Sequence, residues 1–125
     1  MRQPRDPVLA GFYTGSMKME EFPLSITDWN RVPASKHPGE TGFALWRTQT
    51  VGDIRVRVVD YSAGYSADHW CSKGHIILCL EGELETKLAD GHCFTLRPGI
   101  SWQVSDGDPP HRSSTQTGAR LFIVD

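Results

Sequence analysis

Two histidines and a cysteine stand close together in the run Asp68-His69-Trp70-Cys71-Ser72-Lys73-Gly74-His75. Residues two apart on a strand project to the same face, so a strand over His69–Cys71 presents imidazole and thiol side by side. The Lys73-Gly74 turn then leads into a second strand that opens on His75. If the two strands pair, the three side chains converge. Imidazole nitrogen and thiolate sulfur are good ligands for a divalent transition metal: zinc, iron, nickel or copper. A catalytic site would keep one coordination position open. The competing reading is a metal-free pocket with hydrogen-bonded histidines and a cysteine packed as a small hydrophobe.

The elements that must position these groups are short strands. The expected strands are Phe43–Thr48, Asp53–Tyr61, His69–Cys71, Ile76–Leu80, Glu83–Leu88, Cys93–Arg97, Ser101–Val104, His111–Thr115 and Arg120–Val124. Glycine turns punctuate them, among them Gly52, Gly64, Gly82, Gly91, Gly99 and Gly118. Leu84, Thr86 and Leu88 alternate with Glu83, Glu85 and Lys87, as a strand with one buried face requires. Phe22, Leu24 and Ile26 alternate too and suggest an edge strand, and Thr27 or Asp28 can cap a turn at Trp29. Lys36–Gly42 reads as a loop. Nothing resembles a long amphipathic helix. Many short strands with glycine turns mean an all-β sandwich or barrel.

Arg55 and Arg57 share a strand face with Val59 and Tyr61. On a barrel's inner face they would hold an anionic substrate; the expectation is the outer face, as solvated charges. Cys79, within Ile76–Leu80, is expected in the core, and His92 and Cys93 are taken as structural. Asp68 should point away from His69 by strand alternation.

The bulk numbers narrow the partners. A chain of 125 residues, 38% hydrophobic and 22% charged, suits one globular domain. Residues 1–20 read as an extension outside a core domain spanning 21–125. The formal net charge of -2 gives no reason to expect nucleic acid or an acidic membrane as partner. No apolar run approaches the roughly 20 residues that span a bilayer, and no signal sequence is recognisable. Three cysteines without Cys-x-x-Cys spacing argue against a disulfide scaffold, so a cytoplasmic location is expected.

The segment Gly64–Gly82 resembles the first motif of the cupin superfamily, in which a His-x-His pair is followed by a glutamate and a closing glycine. Aligned on Gly82, the first histidine falls on His69, the second on Cys71 and the glutamate on His75. Gly91–Gly99 resembles the second motif, with the proline at Pro98 and Trp102 standing where a histidine is expected. The next histidine, in Pro110-His111-Arg112-Ser113, would supply the last ligand if Ser105–Pro110 is a loop insertion. Within the superfamily, Ala67-Asp68-His69-Trp70-Cys71 resembles the signature of the small "DHCW motif" cupins, with further likeness at Trp46–Gln49 and Leu80–Leu84. This resemblance, from about Phe22 to Asp125, implies a double-stranded β-helix: a jelly-roll-like cupin barrel. It implies a divalent metal on His69, Cys71, His75 and His111, and a small-molecule pocket walled by Trp70, Trp102 and Ile77. Cupins commonly pair through sheet edges, so a homodimer is expected. The alternative is a metal-free small-ligand or regulatory cupin without catalysis.

Overall fold

The structure, a computed structural model, describes residues 22–107 and 109–125. The region 1–20 assigned to an extension lies outside these residues. Among the described residues a short 3-10 turn at Trp29–Arg31 comes first, capped by Asp28, whose Oδ1 accepts from the Asn30 amide at 3.1 Å. Nine strands follow: β1 (Ser35–Pro38), β2 (Phe43–Val51), β3 (Ile54–Tyr61), β4 (His75–Gly82), β5 (Leu84–Leu88), β6 (Cys93–Leu96), β7 (Ser101–Val104), β8 (His111–Ser114) and β9 (Ala119–Val124).

They form two antiparallel sheets, one in the order β1-β2-β3-β9-β4-β7 and one in the order β6-β5-β8. The last strand returns to lie between β3 and β4, which closes the larger sheet around its centre. The inner faces enclose a core of Ala44, Val59, Ile77, Cys79, Leu84, Leu96, Ala119, Leu121 and Ile123. Burying these apolar side chains is the main drive for closing the sheets on each other. The result is an all-β, jelly-roll-like barrel, as the strand rhythm implied.

Three local expectations are corrected. Phe22–Ile26 is not a strand, and Leu24 and Ile26 stand 96% and 93% exposed. The place beside β2 is taken instead by β1, formed from Ser35–Pro38 within a stretch expected to be partly loop; Pro38 is tolerated at the end of this edge strand. His69–Cys71 is not a strand either. Cys71 alone makes a β-bridge, to His111, so side-chain alternation does not govern Asp68 and His69.

Arg55 and Arg57 are the third correction. They are in phase with Val59, which is fully buried, and they face inward. Both faces of β3 are covered, since Val58 on the other side is only 6% exposed; its cross-strand neighbour Phe122 packs against Trp29. The strand therefore offers no polar face to mark the outside.

Candidate metal centre

The site forms where a loop crosses from one sheet to the other. Residues 62–74 leave β3 and run along β8: the Ala67 amide donates to the Ser113 carbonyl, and Cys71 and His111 exchange two backbone hydrogen bonds of 2.8 and 2.9 Å. This pairing sets the Cys71 side chain beside the first residue of β8. His75 opens β4 opposite Val104 of β7. Cys71, His75 and His111 each offer one ligand atom, all within 4.8 Å of one another.

The protonation pattern follows from the partners. Asp125 Oδ2 lies 2.8 Å from His75 Nδ1. An ionised carboxylate only accepts, so Nδ1 carries a proton and Nε2 is turned towards Cys71 Sγ at 3.3 Å. In His111, Nδ1 lies 3.4 Å from the Pro109 carbonyl, again an acceptor, and Nε2 is buried without a partner among the described residues. Burial pulls the His111 pKa below its ordinary value, the Pro109 carbonyl opposes this, and the nearby His75 adds to it. A neutral imidazole with an unused lone pair is the form that ligates a metal.

Asp125 is the group beneath the cluster. Its side chain is fully buried, and it also accepts from Arg55 Nε at 2.9 Å and Arg57 Nη2 at 3.0 Å. Burial would raise its pKa, but the hydrogen bonds from His75 and Arg55 and the charges of both arginines outweigh this and hold it far below the usual carboxylate range. Nothing in the motifs pointed to Asp125. The available signal was its phase: Leu121, Ile123 and Asp125 share the inward face, and a carboxylate there requires partners.

The donor set fits a metal ion. With zinc–sulfur bonds of about 2.3 Å and zinc–nitrogen bonds of about 2.0 Å, tetrahedral ligand atoms sit roughly 3.5 Å apart. The Cys71–His75 separation is close to this, and His111 Nε2 has no partner among the described residues. The carboxylate–histidine pair Asp125–His75 is the usual outer support of a ligating imidazole.

The other predicted site residues lie outside the cluster. His69 stands at the mouth of the adjoining cavity, mostly exposed, and binds Asp68 through Nδ1 at 2.6 Å; it is outside the cluster, and Asp68 is its partner rather than pointing away. Trp70 is exposed and borders a separate surface hollow with Lys87 and Arg112. Trp102 backs the cluster, its ring edge-on to His111 at 5.0 Å and its Nε1 donating to Thr86 Oγ1. Ile77, buried, lines the cavity, which measures about 270 Å³ and is bounded also by Trp46, Arg57, Tyr61 and Ile123. A wider hollow of about 780 Å³ lies on the other side of His75 and Asp125, but neither Cys71 nor His111 borders it. Cys79 is in the core, as expected.

No protein-family model matches the chain, and no curated protein matches it. Solved structures do. Iron(II)-bound HppE aligns with a TM-score of 0.67 at 18% identity, over 82% of this chain and 60% of that one. A sugar phosphate isomerase of the cupin superfamily from Silicibacter pomeroyi aligns with a TM-score of 0.62 at 18% identity, over 80% and 74% of the two chains. Ectoine synthase from P. lautus gives 0.61 at 16% identity, over 81% and 76%. At these identities the likeness is one of architecture, and the architecture is the cupin β-barrel.

Proposed function

We propose that the protein binds one divalent transition metal through Cys71, His75 and His111, and a small molecule in the cavity beside it. The observation that carries this is His111 Nε2, a buried nitrogen without a partner among the described residues, in a group that already holds a thiol and a second imidazole. Such a group is costly to bury unused. HppE, of the same fold, holds iron(II).

A metal held here would supply Lewis acidity to an oxygen of a bound ligand. The chain's own residues do the rest. Asp125 fixes the His75 ring orientation, Trp102 packs edge-on against both imidazoles, and Ile77 lines the adjoining cavity. Three protein ligands leave a coordination position for the small molecule. His69, outside the cluster, is not needed for the metal in this arrangement.

A metal-free ligand-binding cupin is the second reading. It is favoured by one contact, since the Cys71 thiol at 3.3 Å can donate to His75 Nε2 and satisfy both groups. Elemental analysis of chelator-free protein decides between them. Near-stoichiometric zinc, iron, nickel or copper is expected in the wild type and in His69→Ala, and its loss in His111→Ala. Metal-free wild type that takes up no metal on titration would sink the metal reading. The three cysteines are all free thiols, which suits the cytoplasm we propose as its location. The fully exposed Leu24 and Ile26 support pairing with a second copy of the chain.

A further inference from the structure

Two guanidinium groups share a single buried carboxylate on the inner face of β3. Arg55 and Arg57 both bind Asp125, so the trio keeps one positive charge in excess. Arg57 carries most of the difficulty: its side chain is 6% exposed, and uncompensated charge is expensive to bury. Of the five N–H donors of a guanidinium, Arg57 engages one among the described residues, Nη2 on Asp125, and its Nε is buried without a partner. Burial lowers its pKa, against the pull of Asp125. Trp46 covers the guanidinium at 4.4 Å from the ring centroid, a stacking that leaves recognition to the planar edge.

The surroundings extend the pattern. Arg112 and Lys73 line the same cavity, and no carboxylate lines it among the described residues. Arg112 is already paired with Glu40, so it adds little net charge. The cavity also has an apolar surface in Ile77 and Ile123. Arg57 Nη2 and His75 Nδ1 bind the same Asp125 oxygen, at 3.0 and 2.8 Å, so the guanidinium is a direct neighbour of the Cys71–His75–His111 cluster.

We propose that the cavity takes a small organic monocarboxylate, whose acid group docks on Arg57 and whose carbon skeleton rests against Ile77 and Ile123. The buried trio of Arg55, Arg57 and Asp125 offers one unit of excess charge, the exposed Lys73 being screened by solvent at the rim, and the fork of a guanidinium matches a carboxylate edge. The assignment rests on this cavity being the ligand site, but not on a metal being present.

The test is titration calorimetry of the full chain, metal-free and zinc-loaded, with acetate, lactate and pyruvate, each against its uncharged amide. At least one carboxylate should bind at least about tenfold more tightly than its amide, the size of one charge-assisted hydrogen bond. Arg57→Gln should bring that carboxylate down to the level of the amide while zinc stoichiometry stays at the wild-type value. If Arg57→Gln does not fold, the wild-type comparison of acid with amide decides alone. Equal affinity for acid and amide throughout the panel overturns the proposal, as does inorganic phosphate binding more tightly than every carboxylate. Carboxylate selectivity without metal uptake would refute the metal reading and leave this one standing; metal uptake without selectivity would do the reverse.

Discussion

Asp125 ties the charged network to the ligand cluster. It accepts from His75, Arg55 and Arg57, all from a fully buried position. Replacing it with Asn keeps the shape but strands two cations and frees the His75 ring. Removing one partner of a buried ion pair typically costs about 3–5 kcal/mol, and losing the carboxylate behind a ligating histidine weakens metal binding roughly 10- to 100-fold. The pH dependence gives an internal check. The folded-state pKa of Asp125 is depressed, so its stabilisation is complete above the unfolded value of about 3.9 and is lost as pH falls towards the folded value. Denaturant melts of wild type and Asp125→Asn should therefore differ most at neutral pH and converge below about pH 4. Parallel curves across that range would show that Asp125 does not carry the network. The residue's role was legible only through its phase with Leu121 and Ile123. Its partners Arg55 and Arg57 read as outward from sequence because charged side chains are normally solvated, and the buried Val58 on the opposite face gives no contrary signal.

At the scale of elements, the fold depends on two glycines that let the sheets change direction at one point. Gly82 (φ 77°) ends β4 and Gly118 (φ 106°) precedes β9, and a side chain on Gly82 would run into the Gly118 carbonyl. Gly91 also has positive φ, 100°, but its missing side chain faces open space. Left-handed backbone alone costs a non-glycine residue about 1–2 kcal/mol. Gly82→Ala should therefore exceed Gly91→Ala in destabilisation, because it adds a collision with backbone to that strain; equal losses in thermal or denaturant unfolding would refute the close approach. Turn glycines and the alternation of β5 made most strands readable in advance. The exceptions have physical causes. β1 is held by pairing with β2 more than by its own residues, and it contains a proline. The Cys71 segment is held by two backbone hydrogen bonds to His111, forty positions later, which no local pattern records. That pairing brings His111 into the cluster, while His69, lacking strand geometry, stays at the rim.

For the molecule as a whole, the unsettled surface is the segment before β1. Phe22, Leu24 and Ile26 alternate as a strand would, yet no strand forms there and Leu24 and Ile26 touch almost nothing. The larger sheet ends on β1 at one side and β7 at the other, and an edge strand presents unpaired N–H and C=O groups. An alternating apolar segment and an open edge on the same chain are the two halves of an exchange between identical copies, which closes with two-fold symmetry. Light scattering should then give the mass of a dimer for the full chain and of a monomer after deletion of residues 1–26, with the barrel's circular dichroism retained. The deletion leaves the Asp125 network and the Cys71–His75–His111 cluster in place, so metal uptake should be unchanged. A dimer that survives the deletion excludes this segment as the joining element, and a monomeric full chain removes the need for one.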